Sequence, residues 1–389
     1  MNRLLAPTQT VVDGIPLFRR VRELMKEKGS RYSISAVAVR LGISRETLRL
    51  MLNGEREFYW FELEKVADDL KIPIERILQE DVAALHAEIK ARKNNLQQLD
   101  KAIELAHQRF AQAQGASEKA SALLDIGYLL FFSDRFQEAE ETLLTANHLI
   151  QSIVLLPADD RLIFSVLVNF SAVYIYSKQY PKARLALESL RKISMSSPQR
   201  ESDYHHLYAM YKQALNELAE AKESLYKTIE LLQGQEREET LGRALCDVAY
   251  IEYADLNYRA AKDMLRRSLQ HLQSSSFRLM TIKDMVKVHI KLQEHREAER
   301  LIRQTLQGEE IKSNREMEAR LLILLSRVQG VPYHAEAVAG NSKYPKNVRF
   351  LAGRFLRIFY RRWFMQGRSK CVKAVHKMPR RSFPYDKYF

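Results

Sequence analysis

Turn-forming residues are scarce in this chain. Thirteen glycines and ten prolines serve 389 residues, about half the combined share of ~12% usual in globular proteins. So few turn-formers argue against a β-sandwich, a barrel or a disordered chain. Cysteine is nearly absent too. Cys246 and Cys371 are the only two, too few for a disulfide scaffold or a four-ligand zinc site. No run of ~18 apolar residues occurs, so no transmembrane helix and no stable membrane insertion are expected. The start, MNRLLAPTQTVVDG, lacks the long apolar core of a secretory signal, and a cytoplasmic location is expected. Also missing are a glycine-rich phosphate loop, an HExxH, a CxxC and a nucleophile elbow. We therefore expect no enzyme, no cofactor and no metal site. What is present is 46% hydrophobic residues, enough for a large core, in a length that suits about two or three domains. The expected fold class is all-α.

The formal charge of +14 is unevenly placed. Residues 1–60 hold 11 basic and 6 acidic residues, whereas residues 61–342 hold 37 and 41. Residues 343–389 hold 14 basic residues and one acidic, Asp386. A mildly basic head, a near-neutral body and a strongly basic tail follow, and the surplus suggests an anionic partner.

In the head, LFRRVRELMKEKG places Phe18, Val21, Leu24 and Met25 on one helical face, with Gly29 as its stop. Ser35 is read as the cap of a short helix carrying Val37, Ala38 and Leu41 that ends at Gly42. A tight turn through Ile43 reaches Ser44, a good N-cap for a helix packing Leu48, Met51 and Leu52 before Asn53-Gly54. Two more helices, Phe61 to Leu70 and Pro73 to Leu78, close the segment.

Residues 16–79 resemble the lambda-repressor-like (XRE-type) helix-turn-helix domain through Ala38, Gly42, Ile43, Leu48, Asn53-Gly54 and the closing ADDLKIPIERIL. The resemblance implies that the second motif helix enters the major groove of a double-stranded DNA operator. Its reading positions here are Ser44, Arg45, Glu46, Thr47 and Arg49, with Arg40 and Arg56 as backbone contacts. Arg45 suits a guanine edge or a phosphate, and Thr47 a thymine methyl or a phosphate. Where that family often carries Gln at the start of the first motif helix, this chain has Ile34.

Residues 81–114 contain neither Pro nor Gly, and Leu85, Ile89, Leu96, Leu99, Ile103, Ala106 and Phe110 recur at helical spacing. They read as a linker, either one long helix or a packed pair. Beyond it, Ala139, Ala183, Ala221, Ala261 and Ala298 repeat at spacings of 44, 38, 40 and 37. Each is followed four residues later by a large apolar residue: Leu143, Leu187, Leu225, Leu265 and Ile302. Gly127, Ser171 and Ala249 stand twelve positions before their anchors, small where two helices must approach closely. This is similar to a tetratricopeptide-type array with a period longer than the usual ~34, with five hairpins and a degenerate one at each end. The domains expected are 1–80 helix-turn-helix, 81–114 linker, 115–342 array and 343–389 tail.

Head, linker and array in that order resemble the peptide-pheromone receptors of Gram-positive bacteria and their phages, the group of Rap, NprR, PlcR, PrgX and Rgg. That resemblance implies a cytoplasmic homodimer with a right-handed superhelical array, whose operator binding is switched by a short oligopeptide in the array groove. By repeat register the groove-facing candidates are Tyr128, Asn169, Tyr176, His206, Arg243, Tyr250 and Tyr253. Asn169 is the best suited, because an amide both donates to and accepts from a peptide backbone. Two other readings of the array are an interaction scaffold and a phosphatase or regulator of a phosphorelay protein.

Asp159-Asp160 after Pro157 read as a solvated turn, and Cys246, on an apolar helix, as a core residue. In the tail, Ala352, Leu356, Phe359 and Trp363 share one helical face, opposite Arg354, Arg357 and Arg361. The first expectation is that the apolar face caps the last repeat or the dimer partner while the arginines stay solvated. A second grip on nucleic acid and a membrane-surface helix are the alternatives.

Overall fold

The computed structural model describes residues 11–365 except 97, 155 and 159, with side chains to residue 361. Among the described residues the regular structure is helical throughout, and the chain divides into two compact units, residues 1–235 and 236–389.

The first unit opens with five helices: α1 (Leu17–Glu27), α2 (Ile34–Leu41), α3 (Arg45–Asn53), α4 (Trp60–Leu70) and α5 (Ile74–Ile77). Val21, Leu24, Val37, Leu48, Met51, Leu52, Leu63, Val66 and Leu70 form their shared core. The cap of α2 is Ser33, whose hydroxyl accepts from Ala36 N at 3.4 Å, rather than Ser35. The sequence allows either serine. Ser33 wins because Ile34 and Tyr32 pack against the head core, which pulls the helix start two residues earlier. Gly42 takes φ 70° at the end of α2, so the chain turns at once into the Ser44 cap.

The linker is a packed pair, α6 (Ala83–Asn95) and α7 (Leu99–Gln112). Three hairpins follow: α8 (Ala116–Phe132) with α9 (Phe136–Gln151), α10 (Arg161–Tyr176) with α11 (Tyr180–Ser194), and α12 (Pro198–Ala214) with α13 (Leu218–Leu232). The second unit repeats the scheme. It holds α14 (Glu238–Ala254) with α15 (Tyr258–His271), and α16 (Ser275–Lys291) with α17 (His295–Gln307). The short α18 (Glu309–Lys312), α19 (Arg315–Gln329), α20 (Tyr333–Gly340) and α21 (Lys346–Met365) complete it.

All five alanine anchors are fully buried on second helices, and the apolar residue four positions on is buried with each. The close approach is visible at Gly127, where a Cβ would sit 2.8 Å from Leu143 Cδ2. The five turns are copies of one another. A residue at φ 58–65°, namely Asp134, Lys178, Asn216, Leu256 and Gln293, precedes each second helix by two positions. The next residue's N–H then donates five residues back, as in Arg135 to Leu130 O at 3.0 Å and Glu294 to His289 O at 2.9 Å. That bond closes the first helix and fixes the reversal.

At the far end, α21 buries Val348, Ala352 and Leu356 against Ala319, Ile323, Ala335 and Val338 of α19 and α20, and so covers the last helices of its unit. Arg354 and Arg361 are exposed, and Arg357 lies 5.9 Å from the Phe350 ring. Phe359 is half-buried against Phe355 at 5.9 Å. The Trp363 side chain and residues 366–389 lie outside the described residues.

Candidate nucleic-acid and peptide surfaces

The seven head candidates lie on α2, at the cap ahead of α3, on α3 and in the loop after it. Ser44 caps α3, accepting from Thr47 N at 2.9 Å and sharing a 2.8 Å hydroxyl contact with Thr47 Oγ1. Arg45, exposed at the first helical position, makes no hydrogen bond or ion pair among the described residues. The remaining cations are already partnered. Arg49 is bidentate to Glu46 at 2.6 and 2.9 Å and lies 3.6 Å from Glu55. Arg40 pairs with Asp69 and donates to Arg31 O at 3.0 Å. Its hydrogen bond to Asp69 raises its pKa. Arg56 donates to Glu62 at 2.8 Å and lies 5.1 Å from the Tyr59 ring. Tyr59 and Phe61, both exposed and stacked at 5.9 Å, extend this edge, and the sequence reading did not single them out.

Tyr128, Asn169, Tyr176 and His206 belong to the first unit, on α8, α10 and α12. Asn169 is half-buried and its amide makes no hydrogen bond among the described residues. Tyr176 is exposed along one side, its ring edge-on to Phe131 at 5.1 Å. Tyr128 lies under the Lys93 ammonium at 4.6 Å and against Phe132 at 4.7 Å. His206 departs from the groove-facing expectation: only 7% of it is exposed. The helical register that brings Tyr204 and Leu207 into the core beside α11 turns His206 inward too.

Arg243, Tyr250 and Tyr253 belong to the second unit, on α14. Tyr250 is 44% exposed. Arg243 lies 4.7 Å from the Phe277 ring, and Tyr253 meets Tyr258 edge-on at 5.3 Å. Nearby on α16, Lys283 is buried, and burial depresses its pKa, aided by Lys287 and Arg320 and opposed by Asp284. Cys246 is partly buried, between Ser268 at 3.2 Å and Thr281 at 2.9 Å. Burial pushes its thiol up to about 11, so at neutral pH it is not a nucleophile. Among the described residues no group of three His, Cys, Asp or Glu is placed to hold a metal ion. No described helix is long and apolar enough to cross a membrane.

The charged residues that pattern reading missed lie where the head meets the first hairpins. Asp160 is not a solvated turn residue: it caps α10 through Leu162 N at 2.8 Å and pairs with Arg19 of α1 at 2.7 Å. Arg20, Arg76 and Glu118 meet in one buried cluster, and Asp13, Arg109 and Asp125 in another. The available signal was a charge at a position that helical spacing assigns to the core, as with Arg109 between Ala106 and Phe110.

No protein-family model matches the chain, and neither does any curated protein. Among solved structures it is similar to the apo form of the quorum sensor NprR from B. thuringiensis, at 18% identity and a TM-score of 0.52. That match covers 86% of this chain and 96% of NprR. It is also similar to a signal transduction ATPase with a tetratricopeptide repeat sensor from Pyrococcus horikoshii, at 13% identity and a TM-score of 0.54. There the match covers 84% of this chain but 52% of the other, so the chain spans about half that ATPase's length. At such identities the likeness shows the fold: an all-α, tetratricopeptide-type repeat protein.

Proposed function

We propose that the chain is a DNA-binding transcription regulator whose operator affinity is set by a short peptide bound to the first helices of its hairpins. The observation that carries the reading is α3. It is a capped helix that turns its first residues outward, with Arg45 exposed and making no hydrogen bond or ion pair among the described residues, and Thr47 two positions on. Arg45 and Thr47 meet base edges. Arg40, Arg49 and Arg56, each tied to a carboxylate, hold the shape of the reading surface and add little free charge for phosphates. The likeness in fold to a quorum sensor supports a peptide as effector, as does the open amide of Asn169. A homodimer places two heads over two half-sites, and peptide binding favours one arrangement of them. The chain works in the cytoplasm and takes no catalytic part.

The test is selection of duplexes from a random pool by the full-length protein, followed by affinity measurements across salt. A recovered half-site motif, with preference lost in the Arg45→Ala/Thr47→Ala variant, is the expected result. Because three arginines are pre-paired, log K should fall with log salt by few phosphates' worth, each about 0.9 in slope. Recovery of no motif at moderate salt rejects the DNA-reading role. Unchanged operator affinity across peptides from the same genome rejects the peptide switch.

A further inference from the structure

The head does not hang from the array on a tether. Three sets of ionic contacts join it to α6–α10, and most are buried. In the first, Glu118, fully buried on α8, pairs with Arg20 of α1 at 3.0 Å and accepts from Arg76 of α5. Arg20 also donates to Gln114 O and, at 3.3 Å, to Arg76 O. Glu23 of α1 caps α8 from outside, accepting from Ser117 N at 2.9 Å and Ser117 Oγ at 2.6 Å. In the second, Arg109 of α7, 1% exposed, donates to Asp13 ahead of α1 and to Asp125 of α8 at 2.7 Å. In the third, Arg19 pairs with Asp160, Arg161 donates to Asp13 O, and Lys119 pairs with Glu27 at 2.5 Å.

The second set continues outward. Asp125 is shared: one oxygen takes Arg109, and the other takes Lys93 of α6, whose ammonium lies over the Tyr128 ring. On the head side Asp13 is shared in turn. It takes Arg109, exchanges two hydrogen bonds with Gln79 at 3.1 and 3.3 Å, and lies 3.2 Å from His86. A continuous chain of charged contacts therefore runs Tyr128, Lys93, Asp125, Arg109, Asp13. Among the described residues, several atoms of the interface find no hydrogen-bond partner, including Asp13 Oδ1, Glu118 Oε1 and Nε of Arg20, Arg76 and Arg109. Partly satisfied buried charges contribute little net stability, but they define position sharply, since displacing one member leaves its neighbours uncompensated.

We infer that the head and the first hairpins form one locked body, and that Asp125 is the residue through which occupancy at Tyr128 reaches the head. The regulatory meaning rests on the function proposed above, whereas the lock and its relay do not. Lys93 is a positioning residue in this scheme: its ammonium pairs with Asp125 and lies over the Tyr128 ring.

Hydrogen exchange of the full-length protein, without DNA or peptide, tests it. The amides of α1 and of α10–α13 are followed in Asp13→Asn, Lys93→Met and the double variant. Asp13→Asn should speed opening of α1 about tenfold. Lys93→Met should speed it roughly threefold or more despite its distance from the head, while α12 and α13 stay protected. The double variant should open less than the product of the two singles, because both act on one chain of contacts. Wild-type exchange of α1 in Lys93→Met overturns the relay, as does a double variant equal to the product. Equal loss of protection in α1 and α10–α13 overturns the lock, since the pairs would then serve the fold as a whole. Failure to bind DNA rejects the proposed function but leaves these outcomes readable.

Discussion

Two kinds of joint hold this chain together, and they solve opposite problems. Within each hairpin the joint is apolar and small: Ala139 and Gly127 let α8 and α9 approach until Leu143 fills the gap. Between the head and the hairpins it is ionic: Glu118, Arg20 and Arg76 meet with almost no solvent. The apolar joint stabilises through buried area, in rough proportion to the apolar surface it removes from water. The ionic joint gains little net stability after desolvation but tolerates one geometry. The array is thus built to be stable and the junction to be specific. The proposed function, in which a change in the hairpins reaches the head, calls for that division of labour.

The comparison breaks most sharply at Glu118. Glu118→Ala leaves two buried guanidiniums facing each other and should destabilise the first unit by about 3–5 kcal/mol. Replacing Glu118, Arg20 and Arg76 together by Leu, Met and Met should recover most of that loss, because the one carboxylate left without its partner, Asp81, is 40% exposed and hydrated. Urea unfolding of the three proteins decides it. A triple variant as unstable as the single would mean that the cluster is a net source of stability, and the two joints would not differ in kind.

The apolar joints should behave the other way. Leu143→Ala and Leu225→Ala sit two hairpins apart, and each should cost about 2–5 kcal/mol through lost transfer energy and a residual cavity. Their effects should add to within about 0.5 kcal/mol. Strong non-additivity in hydrogen exchange of α9 and α13 would show that the hairpins are coupled as tightly as the junction.

The same division sets what was legible in the sequence. Apolar joints repeat, so their small residues announced themselves at a spacing near 40, and every anchor alanine is buried. The cap at Ser44 and the stop at Gly54 were legible because capping is local chemistry. The junction was not. Its partners lie 42 to 148 residues apart in pairs such as Arg76 with Glu118 and Arg161 with Asp13, so a charge at a core-spaced position such as Arg109 hints at burial but periodicity does not say what it will pair with. His206 was misplaced for a related reason: a helix inside an array has two buried faces, and register alone does not separate groove from core. Asp160 looked like a solvated turn because its partner Arg19 comes from a different domain of the sequence.

The scarcity of glycine ties the hairpins to the chain's most visible compositional trait. Each of the five turns requires a left-handed residue, and none of them is glycine. Aspartate and asparagine, at two of these positions, tolerate that conformation comparatively well. Leu256, at φ 64° and 69% exposed, has no such adaptation. An L-residue with a bulky side chain costs about 1–2 kcal/mol there, and glycine gives back roughly 0.5–1 kcal/mol through its looser unfolded state. Leu256→Gly should therefore stabilise the second unit by up to about 1 kcal/mol, seen as a modest rise in its unfolding midpoint. A fall instead would mean that the exposed leucine side chain makes a contact worth more than the backbone strain. The turns would then be tuned for something other than stability, as the junction is.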